Sequence, residues 1–214
     1  MKLFYHYCSS IYSNCYLLGT DLTESKPGNG QVQKKEAIII DPGFMDSALL
    51  NLIEENNYSL LGVLLTHDHR HHIRGLKTIM KIYDTTIYAI NPVAGKRRTT
   101  LVRDGDVLNI GPFKIEVFLI PGHSPDSAVF KIGRFIFTGD ALCAGFMGST
   151  ASSFSAATQI SALRKKIFSL PGNYYLLHGH GPPSSLEAER QFNLDIHSFE
   201  QRKSRRSSFK LDLD

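Results

Sequence analysis

The run Thr66-His67-Asp68-His69-Arg70-His71-His72 follows directly on the apolar stretch Leu61-Gly62-Val63-Leu64-Leu65. A short apolar run of this kind reads as a buried strand, and the polar residues after it lie just past the strand's end. Residues two apart in an extended segment point the same way, so His67 and His69 can chelate one metal ion together. His72 opens the helical pattern that follows and points elsewhere, which suits a second ion. Neutral imidazole is a good ligand for zinc and other borderline divalent ions. A histidine-rich surface loop that binds nothing is the competing reading, and composition alone does not separate the two.

Working outward, the same arrangement recurs. Asp41 follows the apolar run Ala37-Ile38-Ile39-Ile40, His123 follows the strand pattern Phe113–Ile120, Asp140 follows Arg134–Phe137, and His180 follows Tyr174–Leu177. Polar residues just past strand ends are where a sheet edge gathers side chains from distant parts of a chain. Seven of the nine histidines fall in these segments: His67, His69, His71, His72, His123, His178 and His180. Between them the periodicity predicts helices over Ser47–Asn57, Ile73–Tyr83, Thr158–Ser169 and Ser184–Phe199, and a strand over Thr86–Ile90. A hairpin turned at Gly133 joins Ala128–Ile132 to Arg134–Phe137. Asp21–Lys35, with Pro27, Gly28 and Gly30, reads as an exposed loop, and Ala144–Ala156 as a long irregular connection. Strands and helices mixed throughout predict an α/β fold whose sheets are covered by helices on their outer faces.

The 214 residues and ordinary composition suit a soluble globular domain with a sizeable core. No apolar run reaches the length of a membrane span. Three cysteines, Cys8, Cys15 and Cys143, form no disulfide framework, which predicts free, mostly buried thiols and a cytoplasmic location. The formal net charge is +4, and the last fourteen residues supply +3 of it through Arg202, Lys203, Arg205, Arg206 and Lys210 against Asp212 and Asp214. The chain therefore divides into a nearly neutral body, 1–200, and a short basic tail, 201–214, expected to be a frayed end. On this balance a small-molecule substrate is the expected partner, and neither a membrane nor a nucleic acid is.

Five stretches in order carry a resemblance: Ile40-Asp41-Pro42-Gly43, Thr66-His67-x-His69-x-x-His72, Pro121-Gly122-His123-Ser124, Phe137-Thr138-Gly139-Asp140 and Gly179-His180-Gly181-Pro182. They resemble the successive motifs of the metallo-β-lactamase superfamily, from about Asn14-Cys15-Tyr16-Leu17 to about Asn193. The final stretch, with Glu189 and Asn193, is similar to that of single-domain glyoxalase II-like hydrolases. The resemblance implies a four-layer αββα sandwich of two mixed sheets, with the site at one edge between them. It implies His67, His69 and His123 as ligands of a first metal, His72 and His180 as ligands of a second, and Asp140 as the bridge. It implies that Asp41 supports the site from behind, hydrogen-bonding a ligand and fixing its orientation. The implied cofactors are two divalent ions, zinc first, with iron or manganese as alternatives.

Three positions depart from the family's pattern. His71 stands where the family carries an aspartate ligand of the second metal. It is expected to take over that place without the negative charge, so that the second ion is held more weakly or with altered selectivity; the alternative is that His71 swings out and leaves a single tight ion. Ser149 stands where many relatives have a basic residue that holds glutathione. His178 replaces a proline and is expected to be merely exposed, the alternative being a hydrogen-bond donor that supports the site from behind. Cys143 reads as a small buried hydrophobe and not as a nucleophile.

The expected function is hydrolysis of a thioester, ester or lactone by a metal-bound hydroxide, with Asp140 and His71 as the residues closest to the chemistry. One alternative is a persulfide dioxygenase-like enzyme with a single iron on His67, His123 and Asp140. Others are a nuclease of the same superfamily, favoured only by the basic tail, and a binding protein that has lost turnover.

Overall fold

The computed structural model describes residues 1–21 and 35–198. The loop expected over Asp21–Lys35, apart from its two ends, and the tail at 201–214 lie outside the described residues.

Two six-stranded sheets make up the molecule. The first contains β1 (Lys2–Cys8), β2 (Ser13–Gly19), β3 (Lys35–Ile40), β4 (Tyr58–Leu64), β5 (Thr86–Ala89) and β6 (Thr100–Leu101), in that spatial order. The second contains β7 (Val107–Ile110), β8 (Phe113–Leu119), β9 (Ala128–Ile132), β10 (Phe135–Gly139), β11 (Tyr175–His178) and β12 (Ser184–Ser185), also in spatial order. Both are mixed. In the first sheet β3, β4, β5 and β6 run parallel to one another, and in the second β10 and β11 form the parallel pair. Two-residue ribbons, 93–94 with 97–98 and 142–143 with 146–147, stand apart from the sheets.

Side-chain alternation sorts the apolar residues into three layers. From the first sheet, Leu17, Ile39 and Val63 point outward against Leu49 and Ile53 of α1 (Ser47–Glu55), where Leu76 and Ile79 also pack. The neighbouring Tyr16, Leu18, Ile38, Ile40 and Leu64 point inward and meet Ile115, Val117, Phe130, Phe137 and Leu177 of the second sheet. That sheet's outer face, with Val129, Ile136 and Leu176, packs on Ile160 and Leu163 of a helix at Ser153–Leu163 and on Leu186 of a helix at Leu186–Phe192. A period of two along every strand thus gives helix, sheet, sheet, helix, the four layers expected from the motif order.

Several boundaries differ from those read in the sequence. The helix expected over Ile73–Tyr83 is two pieces, α2 (Arg70–Ile73) and α3 (Leu76–Ile82), broken at Gly75. A Cβ on Gly75 would stand 2.4 Å from the Pro42 carbonyl oxygen, so close approach to another loop sets this break. The helix expected from Thr158 begins five residues earlier as α4 (Ser153–Leu163), because the Ser152 hydroxyl accepts from the Ser155 amide at 3.1 Å. Its continuation, Arg164–Phe168, is a π-helical turn. The closing helix expected over Ser184–Phe199 is interrupted: α5 (Leu186–Phe192) is capped by Ser185 through the Ala188 amide, Asn193 leaves helical geometry, and helix resumes over 194–198.

Phe137 lies between the sheets, 1% exposed, edge-on to Tyr16 at 5.5 Å. Truncating it to alanine should cost about 3–5 kcal/mol. Phe192, 69% exposed, is the matched control, and its alanine variant should cost less than about 0.5 kcal/mol. Urea unfolding of the metal-free proteins checks both.

Candidate metal centre

The site sits where strands of both sheets end. Asp41 follows β3, Thr66 and His67 follow β4, Asp140 follows β10, and His180 follows β11. Each sheet therefore delivers its residues from the ends of parallel strands, as open α/β sheets do. The Ala128 amide donates to the Thr66 carbonyl at 2.7 Å and joins the two sheets beside the site.

Two donor sets result. Ligand atoms of His67, His69, His123 and Asp140 lie within 4.8 Å of one another, and so do those of His72, Asp140 and His180. Asp140 belongs to both. Its Oδ2 is 3.8 Å from His67 Nε2, 3.6 Å from His123 Nε2 and 3.4 Å from His180 Nε2; its Oδ1 is 3.4 Å from His72 Nε2. Two ligands on one tetrahedral ion at about 2 Å stand roughly 3.3 Å apart, so these separations suit shared ions.

The backbone around the carboxylate leaves no spare room. A Cβ on Gly179 would fall 2.3 Å from Asp140 Oδ1 and 2.6 Å from His72 Cε1. Buried within the site, His67 Nε2, His72 Nε2 and Asp140 Oδ1 have no hydrogen-bond partner. Each orphaned polar atom costs about 1–3 kcal/mol, and a divalent cation between them removes that cost. The donor set fits divalent metal.

Four of the five imidazoles have a partner on the other nitrogen that can aim them. His123 Nδ1 is 2.8 Å from the Ser149 carbonyl oxygen, and His180 Nδ1 is 2.6 Å from that of Tyr12. His67 Nδ1 lies 3.1 Å from the Thr66 hydroxyl, and His72 Nδ1 lies 3.1 Å from Asp41 Oδ2. Asp41, 2% exposed, also accepts from the Thr66 amide at 2.8 Å and the Thr66 hydroxyl at 2.6 Å. Its backbone is left-handed, φ 49°, a conformation that Asp tolerates better than most side chains and that is retained where surroundings impose it.

Electrostatics divides the histidines. Burial pushes His67 down to about 2, neighbouring imidazoles add to this, and Asp140 only partly opposes it. Burial also works against a charge on His72, but the carboxylates of Asp41 and Asp140 outweigh it and raise His72 above the ordinary histidine range. Burial raises Asp140 too, yet the adjoining histidines, His72 foremost, hold it below the usual carboxylate range. The metal-free site is thus a protonated imidazole between two carboxylates.

His71 stands outside both donor sets. It is exposed, its ring centroid is 5.9 Å from that of His180, and its carbonyl accepts from the Ser13 hydroxyl at 2.8 Å. His178 differs from its expected exposure: it is fully buried, with Nδ1 2.8 Å from Thr138 Oγ1 and Nε2 2.8 Å from Ser184 Oγ. Burial lowers it to about 4, so it is a neutral core histidine tying β10, β11 and β12 together. Cys143, partly buried, is pushed up to about 11 by burial and stays a thiol near neutral pH.

Two supporting residues were assigned no role in the sequence, although Asn14 opens the stretch where the family resemblance begins. Asn14, fully buried, donates to the carbonyls of His178 at 2.9 Å and Gly181 at 2.7 Å, clamping the turn that holds His180. Asp126 accepts from the Asp68 amide at 3.1 Å and from Asn91 at 2.9 Å, so the loops of His67 and His123 share one brace. Among the described residues no helix is long and apolar enough to cross a membrane.

Comparison with known proteins agrees with this geometry. A probable metallo-hydrolase, YqgX of Bacillus subtilis, is 28% identical over 191 residues, covering 78% of this chain and 90% of the relative. The hydroxyacylglutathione hydrolase of Buchnera aphidicola is 34% identical over 112 residues, 52% of this chain and 44% of that protein. The human mitochondrial persulfide dioxygenase ETHE1 is 31% identical over 173 residues, 77% of this chain and 68% of that one. Among solved structures, the BLEG-1 B3 metallo-beta-lactamase superposes with a TM-score of 0.78 at 24% identity, covering 91% of this chain and 99% of its own. ETHE1 from Myxococcus xanthus also gives 0.78, at 25% identity and 92% and 85% coverage. The family model of the metallo-beta-lactamase superfamily matches residues 12–180, a span that holds every residue of both donor sets, and the chain belongs to that superfamily.

Proposed function

We propose that this protein is a metal-dependent hydrolase of a thioester, ester or lactone. The observation that carries the reading is the pair of donor sets sharing Asp140. Relatives described as a metallo-hydrolase and a hydroxyacylglutathione hydrolase support it. Divalent ions held by these sets, zinc first among the candidates, supply a nucleophile from water near neutral pH and a Lewis acid for the substrate's carbonyl.

The chain's own residues do the rest. Asp140, held below the usual carboxylate range by the adjoining histidines, would serve both sets and would orient water bound there. Asp41 fixes the tilt of His72, and the Ser149 and Tyr12 carbonyls fix those of His123 and His180. No covalent intermediate is called for: Cys143 stays protonated, and the histidine beside Ser184 is too weakly basic to activate it.

A second reading, a persulfide dioxygenase-like oxidoreductase with one iron, draws support from the 31% identity to ETHE1 and from the larger donor count of the first set. Metal analysis separates the two. The hydrolase reading expects two divalent ions per chain and thioester turnover without oxygen uptake; one iron with oxygen consumption would replace it with the second.

Asp140→Ala should abolish turnover and lower occupancy of both ions, whereas His72→Ala should empty mainly the second set; metal content of the purified variants checks this. His71→Asp should bring a carboxylate to a set that has three donors, tightening the second ion and retaining it to lower pH, as a titration of metal content would read. Because His72 is raised above its unfolded value of about 6.5, its proton stabilises the metal-free fold below that pH. The contribution fades as pH rises through the folded value of about 10. Zinc uptake at pH 7 should therefore release about one proton from His72. Calorimetry in buffers of different ionisation enthalpy reads that release, and His72→Ala should lose it.

A further inference from the structure

A second chemistry stands beside the metal centre. Residues 66–103, between the first two histidine motifs, contain eight Lys and Arg against two Asp, a net +6 in a chain whose total is +4. The body is therefore neutral only on average.

The fold concentrates this charge. The ribbon of Val93–Ala94 and Arg97–Arg98 turns through Gly95 and Lys96, both in left-handed backbone at φ 54° and 65°. Such a turn matches the twist of a hairpin, but its second place favours Gly or Asn, and here a lysine holds it. A Cβ on Gly95 would stand 3.5 Å from Leu76 Cδ1 and 3.8 Å from Ile73 Cδ1, so the ribbon lies against α2 and α3. Arg70 and Lys77 are exposed on those helices. Arg97 shares a ribbon face with buried Ala94, while Arg98 shares the other with exposed Val93.

The ribbon is moored to the metal site. Asn91 at its root donates to Asp126 at 2.9 Å and to Asp68 at 3.3 Å, and the Thr99 hydroxyl donates to the Asn91 carbonyl at 2.5 Å. Arg70 lies between His69 and His71 in the chain. None of Arg70, Lys77, Lys96, Arg97 and Arg98 forms an ion pair with a described carboxylate, whereas Lys131 pairs with Glu116 and Lys166 with Asp104. Of the two acids in the segment, Asp68 faces the Asn91 amide, and Asp84 follows the far end of α3. Unpaired cations gathered on a tight turn repel one another, and a bound anion relieves that repulsion.

We infer that the 93–98 ribbon with Arg70 and Lys77 is an anion-recognition surface for the substrate's leaving group, which is a thiol or alcohol bearing phosphate groups. Guanidinium forks suit phosphate oxygens, and a lysine at the turn adds a compact third charge. The inference rests on the hydrolase reading for the acyl bond but not for the phosphate. Ser149, without charge, stands beside His123, so the cations for an anionic leaving group are on this ribbon instead.

Adenosine 3′,5′-bisphosphate, which has phosphates but no acyl bond to cleave, is the probe, titrated into the metal-loaded full chain. We expect saturable binding that weakens at least tenfold in Arg97→Gln/Arg98→Gln and falls steeply as salt is raised. Lys114→Gln, on the other sheet, should bind as wild type does. Absence of saturable binding, or equal binding by the double variant with an unchanged melting temperature, overturns the inference. A short single-stranded RNA that binds more tightly and is cleaved overturns the assigned substrate class. Binding of the bisphosphate by a protein that hydrolyses no acyl thioester leaves the surface standing and removes the proposed hydrolase function, so the two failures are distinguishable.

Discussion

The carboxylate of Asp140 stands within 3.8 Å of four imidazole nitrogens, from His67, His72, His123 and His180. A carboxylate so placed needs positive charge around it, and that need organises the site. In the metal-free protein the proton on His72 meets part of it, with Asp41 sharing the same imidazole from the other side. A divalent ion meets it better, because it also gives a partner to the buried His67 Nε2 and His72 Nε2, which make no hydrogen bond among the described residues. The cost of an unpaired buried polar atom is the reason the cluster reads as a metal site and not as a core network.

Holding that carboxylate in place is the work of two parallel strand pairs. β3 and β4 in one sheet and β10 and β11 in the other end at the same edge, so Asp41, His67, Asp140 and His180 arrive from four directions. The loops between are stiffened by buried polar side chains. Asn14 clamps the His180 turn, His178 links β10 to β12, and Asp126 ties the His67 loop to the His123 loop. Small residues let the backbones meet: a side chain on Gly179 would displace either Asp140 or His72.

The cationic ribbon shows a limit of whole-chain averages. A nearly neutral body is compatible with a strongly charged patch when acidic residues lie elsewhere, and the mooring of Asn91 to Asp68 and Asp126 puts this patch next to the metal centre. Charge in that position acts on the part of a substrate that projects from the site, through attraction that reaches farther than hydrogen bonds do.

What the sequence determined by itself was the layer order and the donor chemistry. Continuous apolar runs such as Ala37–Ile40 can bury both faces of a strand only between two packed layers, and histidines placed just past strand ends can converge at a sheet edge. The Gly133 hairpin was local enough to read directly. Tertiary structure decided the rest. The resemblance to the family's aspartate ligand put His71 among the ligands, but its side chain lies outside both sets, and its carbonyl is held by Ser13, fifty-eight residues away in the chain. His178 looked like an exposed substitution and is buried, because its two partners, Thr138 and Ser184, come from strands on either side of it. The break between α2 and α3 depends on the Pro42 carbonyl, and the charge of His72 depends on Asp41 and Asp140. Periodicity and residue chemistry are properties of neighbours along the chain, whereas ligand orientation, burial and proton affinity are set by groups that only the folded backbone brings together.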